Sequence, residues 1–249
     1  MKDLLAIIGQ IKPVEQSWID KAMERQDRLT KPPQSLGKLE EIACRMAAIQ
    51  QSLHPAVDRK RIVVFAGDHG VTEEGVSPYP AEVTSQMVAN FLSGGAAINA
   101  VARTAGAELV IVDAGVKSPI PVIDISGKSV QFIQKPVRKG TRNFAREAAL
   151  TPEETLSAIG LGLQVAVEAK HSGINLIGIG EMGIGNTTSA AAIAAALSGL
   201  PASAVTGRGT GAALAMSVID AAVRAFVEMA TFESAGVSDK QELAQGANR

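Results

Sequence analysis

Three short apolar runs, rich in β-branched side chains, constrain the fold of this 249-residue chain most strongly. They occupy 62–66, 109–112 and 175–179, and each is followed by Gly or Asp. A strand that is apolar throughout is typical of a parallel sheet covered on both faces. Helical patterns separate the runs and follow the last one, at 81–104, 152–172 and 189–198. The alternation predicts an α/β fold, with a parallel sheet flanked by helices in a Rossmann-like three-layer arrangement.

Helical patterns at the two ends of the chain predict a small additional subdomain. Near the N-terminus, two amphipathic stretches are joined by a link with consecutive prolines, which excludes helix there. A second pattern runs from Ala212 to Phe232, with Asp220, Arg224 and Glu228 along its polar side. We predict the following division: a helical subdomain over 1–60 with 212–236 packed on it, an α/β nucleotide-binding domain over 61–211, and a frayed tail over 237–249.

Composition excludes several classes of function. Lys and Arg number 24 against 25 Asp and Glu, and aromatic residues are 3%, so neither a basic surface nor a stacking platform for nucleic acid is expected. One cysteine, Cys44, and three scattered histidines make a disulfide or a metal site improbable. The longest apolar stretch, 190–200, is shorter than the ~20 residues that span a bilayer. We therefore expect a cytoplasmic protein that binds neither membrane nor nucleic acid.

Two glycine-containing motifs follow predicted strands, where α/β folds display functional groups. The first places Asp68 and His69 between Gly67 and Gly70. The second runs from Gly178 to Ser189 and leads into an alanine-rich helix, with Asn186, Thr187 and Ser189 as possible caps. Glycines permit close backbone approach, and the start of a helix attracts anions, so this motif predicts a phosphate site. Further candidate anion loops are 139–144 and 206–211.

A dinucleotide-dependent oxidoreductase is a weaker interpretation of the second motif. Gly178, Gly180 and Gly183 match the G-x-G-x-x-G spacing, but no acidic residue follows between Met182 and Asp220 to bind a ribose. The ending typical of an ATP-binding loop is absent as well. The residues alone predict an α/β protein that binds a small phosphorylated ligand, and no cofactor is expected.

The motifs resemble one family closely, the nicotinate-nucleotide–dimethylbenzimidazole phosphoribosyltransferases of cobalamin nucleotide-loop assembly. The matching strings, which run in the family's order over about 28–211, are Leu-Thr-Lys-Pro-Pro-x-Ser-Leu-Gly at 29–37, Gly-Asp-His-Gly-Val at 67–71, Tyr-Pro-x-Glu-Val-Thr at 79–84, Gly-Thr-x-Asn-Phe at 140–144, Gly-Glu-Met-Gly-Ile-Gly-Asn-Thr-Thr at 180–188 and Gly-Arg-Gly-Thr-Gly at 207–211. The resemblance implies transfer of the phosphoribosyl group of nicotinate mononucleotide to 5,6-dimethylbenzimidazole, by a homodimer without a cofactor.

The resemblance also implies which residues bind the substrates. Loop 183–188 is expected to hold the phosphate, and the stretch from Tyr79 to Met87 the benzimidazole side. The implied residues are Asp68, His69, Tyr79, Glu82, Met87, Gly180, Met182, Gly183, Ile184, Gly185, Asn186, Thr187, Thr188, Gly207, Arg208 and Gly209.

The sequence departs from the family after its last glycine motif. In the family, Gly-Arg-Gly-Thr-Gly is followed by a further α/β stretch and then by a second motif, Gly-Glu-Gly-Thr/Ser-Gly-Ala-Ala-Leu-Ala, whose Glu is the general base. Here Gly207–Gly211 runs directly into Ala-Ala-Leu-Ala, so Arg208 stands where the base is expected, and a guanidinium accepts no proton. Glu181 is the substitute candidate. The alternative is a non-catalytic protein of the same fold that binds the nucleotide or the base.

Overall fold

The computed structural model describes residues 2–201, 204 and 211–235. Within those residues the helices and strands alternate along much of the chain. In chain order they are α1 (Lys2–Ile8), α2 (Gln16–Arg28), α3 (Lys38–Gln50), β1 (Lys60–Gly67), a 3-10 helix (Gly70–Glu74), α4 (Val83–Ser93), α5 (Ala97–Ala105), β2 (Ala107–Gly115), β3 (Val130–Gln134), α6 (Pro152–His171), β4 (Leu176–Met182), α7 (Asn186–Ser198), α8 (Gly211–Glu228) and α9 (Phe232–Ala235).

The four strands form one parallel sheet in the order β3-β2-β1-β4. Ile62 lies between Leu109 of β2 and Gly178 of β4, and Ala66 lies between Asp113 and Met182. The register shifts after Ala66, so that Gly67 pairs with Gly115. The carboxyl ends of β1, β2 and β4 therefore lie together at one end of the strands, where the sequence motifs indicate a site.

Helices cover both faces of the sheet because successive strand residues point to opposite sides. On one face, Ile62, Val64 and Ile111 are buried against residues of α4 and α5. On the other face, Val63 and Val110 are buried against Leu161 and Val165 of α6, together with other residues. The α/β fold with a parallel sheet flanked by helices is confirmed.

Strand β3 was not anticipated from the sequence. Its sequence, Val-Gln-Phe-Ile-Gln at 130–134, has two glutamines that interrupt the apolar residues, so no continuous apolar run is present. Because β3 lies at the edge of the sheet, only part of it is buried, and Gln131 and Gln134 are exposed. A continuous apolar run is typical of a central strand that is buried on both faces, and an edge strand of this kind lacks that pattern.

Strand β4 extends further than its apolar run indicates. It continues through Gly180, Glu181 and Met182, which the sequence placed in a loop. Gly180 pairs with Val64 and Glu181 with Phe65, so pairing with β1 maintains an extended backbone despite the glycines. The glycine loop is thereby reduced to the turn from Gly183 to Gly185.

The chain divides into two compact units, Arg59–Met216 and a second unit containing Lys2–Asp58 and the residues from Ser217 onward. In the second unit, Phe226 and Ala222 of α8 are buried with Ala22, Leu29 and Ala43. The predicted helix over 212–232 is interrupted after Glu228, and the short helix α9 follows. The interruption accommodates an antiparallel bridge between Leu29 and Thr231. The tail at 237–249 lies outside the described residues.

Candidate functional site

Asp68 directly follows β1, at the end of the sheet where the carboxyl ends of the strands lie together. Its backbone N–H donates to the carbonyl of Gly115, at 3.0 Å, and its carbonyl accepts from the N–H of Thr141, at 2.9 Å. The carboxylate is buried, with 4% of the residue exposed, and Oδ2 accepts the backbone N–H of Lys117 at 2.7 Å. Oδ1 has no hydrogen-bond partner within the described part of the chain. Such an unpaired buried oxygen is costly to stability and marks Asp68 as a functional candidate.

His69 connects the end of β1 to the first turn of α7. Its Nδ1 lies 2.9 Å from the hydroxyl oxygen of Ser189. Burial lowers the pKa of the imidazole, although the neighbouring carboxylates of Glu181 and Asp68 act in the opposite direction. A lowered pKa favours the neutral ring near neutral pH, where one ring nitrogen can accept a hydrogen bond.

The turn between β4 and α7 requires glycine at two positions. A Cβ at Gly183 would lie 2.0 Å from the carbonyl oxygen of Gly67 and 2.9 Å from the His69 ring. Gly185 has a φ of +84°, in the left-handed region that other residues rarely adopt. These glycines allow the turn to pack against the end of β1. Glycine is therefore required here by the packing, whether or not the turn binds a ligand.

The backbone N–H groups of this turn are largely occupied within the chain. Ile184 donates to the hydroxyl of Thr84, Asn186 to the carbonyl of Gly183, and Thr188 to the carbonyl of Gly185, all at 3.0 to 3.1 Å. The N–H of Thr187 donates to Oδ1 of Asn186 at 2.7 Å. The sequence predicts a phosphate site at this motif, whereas in the structure side chains and carbonyls of the chain take up these four donors. Helix α7 begins at Asn186, and Gly185 is its N-cap.

Glu181 lies at the end of β4 and is held by one side chain. Its Oε2 accepts a hydrogen bond from Nδ2 of Asn186. The Oδ1 of the same amide accepts from both the N–H and the hydroxyl of Thr187. Sequence reasoning selected Glu181 and Asn186 separately, and the structure joins them in one hydrogen-bonded pair.

These groups line a cavity of about 320 Å³ at the carboxyl ends of β1, β2 and β4. Of the predicted site residues, the cavity brings together Asp68, His69, Glu181, Met182 and Asn186. The other lining residues are Phe65, Ala66, Gly67, Ala114, Gly115, Val137, Arg138, Gly140, Thr141, Leu150, Ala158, Ser189, Ala190 and Ile193. The cavity thus combines an apolar wall with carboxylates, an imidazole and a guanidinium, which suits a ring-bearing polar ligand.

Several lining residues were missed by sequence reasoning. Val137 and Arg138 precede the recognised loop at 139–144, while Leu150 and Ile193 resemble ordinary core residues. In the sequence, Arg138 could have been identified from its position next to Gly140, whose loop packs on Asp68. A Cβ at Gly140 would lie 3.4 Å from that of Asp68, so the loop approaches the strand end closely.

Other predicted site residues do not line this cavity. Tyr79 is 64% exposed, Glu82 precedes the first turn of α4, and Met87 packs against the core on the α4 side of the sheet. Gly180, Thr187 and Thr188 border the site without lining the cavity. Gly207, Arg208 and Gly209 lie outside the described residues.

Among the described residues, no group of three or more His, Cys, Asp or Glu side chains is arranged to hold a metal ion. Within the same residues, none of the helices combines the length and apolar character needed to cross a membrane.

Comparison with known proteins places the chain in a family. A phosphoribosyltransferase family model matches residues 11–211 and, as a second segment, 207–237. The chain therefore belongs to this phosphoribosyltransferase family, and the resemblance stated from the motifs is confirmed. The two matched segments share 207–211, the Gly-Arg-Gly-Thr-Gly motif.

The relatives carry one name. The chain is 52% identical over 208 residues to the nicotinate-nucleotide–dimethylbenzimidazole phosphoribosyltransferase of Geobacter sulfurreducens, covering 84% of this chain and 57% of that protein. It is 44% identical over 211 residues to the protein of the same name from Chloroflexus aggregans, covering 85% and 58%. The chain thus spans less than two thirds of the length of these curated relatives.

Two solved structures from Thermus thermophilus are similar. The crystal structure of its nicotinate-nucleotide-dimethylbenzimidazole phosphoribosyltransferase superposes with a TM-score of 0.71 at 44% identity, covering 85% of this chain and 62% of that one. A structure titled CobT gives a TM-score of 0.70 at 41% identity, with 87% and 68% covered.

Proposed function

We propose that this chain binds nicotinate mononucleotide and 5,6-dimethylbenzimidazole in the cavity at the strand ends and transfers the phosphoribosyl group between them, giving α-ribazole 5′-phosphate and nicotinate. The observation that carries the proposal is the grouping of Asp68, His69, Glu181 and Asn186 around one cavity in a member of this phosphoribosyltransferase family. The site chemistry requires no metal or other cofactor, because the leaving group already carries a positive charge.

The reaction needs a proton acceptor and a water-poor site. One ring nitrogen of dimethylbenzimidazole attacks C1′ of the ribose while the bond from C1′ to the pyridinium nitrogen breaks and its electron pair neutralises the ring. The proton on the other benzimidazole nitrogen passes to a carboxylate, for which Glu181 is the candidate. The apolar wall, with Phe65, Leu150 and Ile193, is suited to the aromatic rings.

The phosphate of the nucleotide also needs a cation or donor. Arg138 is the one lysine or arginine among the described lining residues, and Thr141 lies near it in the cavity wall. We assign the phosphate to these two side chains, which belong to the loop that packs on Asp68. Arg138 also lies 3.8 Å from a carboxylate oxygen of Glu154, with which a bound phosphate would share it. The ribose then lies toward Asp68, whose Oδ1 can accept a hydrogen bond from a ribose hydroxyl.

Catalysis by this chain is proposed to be slow. Two segments of the family model meet at the shared motif 207–211, which supports the loss of an internal segment that carries the general base in the family. Loss of a general base lowers turnover by ~10²–10⁴-fold. We therefore expect turnover at least ~100-fold below that of a full-length relative.

A product assay tests the proposal. Purified protein is incubated with nicotinate mononucleotide and dimethylbenzimidazole, and α-ribazole 5′-phosphate is quantified by liquid chromatography and mass spectrometry. We expect slow formation that Glu181→Gln lowers ~10-fold or more. Glu74→Gln is the control, because Glu74 also accepts an asparagine Nδ2, from Asn143, but does not line the cavity. Its additional ion pair with Arg146 makes folding a property to check in this variant. Equal rates for wild type and Glu181→Gln would contradict the role of Glu181.

The second candidate is a non-catalytic protein that binds the nucleotide or the benzimidazole. The position of Arg208, where the family has its base, favours it. Calorimetric binding of either ligand without detectable product would support this candidate. Binding of NAD alone would instead favour the weaker oxidoreductase alternative. A homodimer located in the cytoplasm is part of the proposal, and sedimentation analysis tests the dimer.

A further inference from the structure

Asn186 has two sets of contacts that together fix its side-chain orientation. Its Oδ1 accepts the N–H of Thr187 at 2.7 Å and the Thr187 hydroxyl at 3.2 Å. An amide oxygen with two donors is distinguished from the amide nitrogen, so Nδ2 must point the other way. There it donates to Oε2 of Glu181.

Glu181 would be mobile without that contact. It lies near the exposed end of β4, which is one of the two edge strands among the described residues, and its side chain has three rotatable bonds. Fixing such a side chain costs conformational entropy. A hydrogen bond from a group that is itself fixed by the first turn of α7 offsets part of this cost and holds the carboxylate at the cavity.

A related arrangement joins Asn143 and Glu74 in the α/β unit, where the same Glu74 oxygen also pairs with Arg146. Oδ1 of Asn143 accepts the N–H of Ala145 at 3.0 Å, and its Nδ2 donates to Oε1 of Glu74 at 2.6 Å. That hydrogen bond is the largest cause of the lowered pKa of Glu74. Neither Asn143 nor Glu74 lines the cavity, so this pair is an internal reference for the pair formed by Asn186 and Glu181.

We propose that Asn186 is a positioning residue that holds one oxygen of Glu181, leaving the other oxygen for the N–H of the benzimidazole substrate. The inference rests on the proposed function, in which Glu181 is the proton acceptor. It adds that the orientation of the carboxylate depends on the first turn of α7 through Asn186, rather than on Glu181 alone.

The hydrogen bond itself is tested without any ligand. In ¹⁵N-resolved NMR spectra, the side-chain amide signal of Asn186 should shift in Glu181→Gln and remain in place in Glu74→Gln. The side-chain amide signal of Asn143 should shift in Glu74→Gln and remain in place in Glu181→Gln. An Asn186 signal that is unchanged by Glu181→Gln would overturn the inference.

The effect on substrate is tested by a double-mutant cycle. Isothermal titration gives the Kd of dimethylbenzimidazole for wild type, Asn186→Ala, Glu181→Ala and the double variant, since alanine removes the acceptor oxygen that glutamine would keep. We expect Asn186→Ala to weaken binding ~5- to 10-fold in the wild-type background and to have almost no effect once Glu181 is Ala. Asn186→Gln, which keeps a donor, should recover part of the affinity.

These outcomes distinguish failure of the positioning role of Asn186 from failure of the proposed function. Equal weakening by Asn186→Ala in both backgrounds would mean that Asn186 only stabilises the turn, and the inference would fail while the proposed function stands. If wild type fails to bind dimethylbenzimidazole, the proposed function fails at this cavity and the positioning role for substrate fails with it. The NMR result would still report separately whether the hydrogen bond exists.

Discussion

Gly180 and Gly183 are three residues apart, but their surroundings differ completely. A Cβ at Gly183 would lie 2.0 Å from a backbone oxygen, whereas a Cβ at Gly180 would meet only Val64 Cγ2 at 3.9 Å. Gly183→Ala should therefore lower the free energy of unfolding by at least ~2 kcal/mol, because backbone atoms must move. Gly180→Ala should change it by no more than ~0.5 kcal/mol. Urea titration of both variants measures the difference, and equal stabilities would contradict this packing of the turn.

His69 should make stability depend on pH. Burial lowers the pKa of its imidazole below the ordinary value of 6.5, so between these two pKa values the unfolded chain binds more protons. The contribution is present above pH ~6.5 and is lost as the pH falls through the folded-state pKa. Urea midpoints measured from pH ~7.5 to ~5.5 should fall less for His69→Asn than for wild type. Equal falls in the two proteins would contradict this prediction.

At single residues, sequence reasoning found side chains but not their partners. Asp68, His69 and Glu181 follow from their positions at strand ends. The contacts of His69 with Ser189 and of Asn186 with Glu181 depend on the angle at which α7 leaves the turn. Gly185 illustrates the same gap. The sequence indicates a point of phosphate approach at this glycine. In the structure its φ is positive and an added Cβ would lie 3.1 Å from Cγ2 of Thr72, so Gly185→Val would strain the fold directly.

Among the elements, α6 begins with the most complete helix cap. The hydroxyl of Thr151 accepts the N–H of Glu154 at 3.1 Å, and the Glu154 carboxylate accepts the N–H of Thr151 at 2.8 Å. Thr151→Ala should lower the free energy of unfolding by ~1 kcal/mol. Ser157→Ala is the control, since its hydroxyl bonds only within the helix, to the carbonyl of Glu153. Thermal melts in which both variants match wild type would contradict the cap.

The predictability of each element follows from its burial. Strands β1 and β2 are central and buried on both faces, so they were visible as apolar runs. Edge strand β3 was missed and the extent of β4 was underestimated, since backbone pairing with a neighbour, rather than side-chain burial, defines them. The break after α8 depends on a bridge to Leu29, a contact that local periodicity cannot contain.

For the molecule as a whole, the outer edge of β4 should promote self-association. Within the described residues no strand pairs with that edge, and Ile179 is 70% exposed on it. An open, apolar edge strand is a template for association. Light scattering at increasing concentration should show oligomers or aggregates, and Ile179→Lys should reduce them. Val122→Lys, at an exposed site outside the strands, should not. A monodisperse wild-type monomer would contradict this prediction.

The central claim is that the cavity at the strand ends is the nucleotide site, and hydrogen exchange measured by mass spectrometry tests it most directly. Exchange is compared with and without saturating nicotinate mononucleotide. We expect bound nucleotide to slow exchange only in the segments that line the cavity, around 65–70, 137–141 and 181–190. Unchanged exchange in these segments at saturating nucleotide, or protection only elsewhere in the chain, would contradict it.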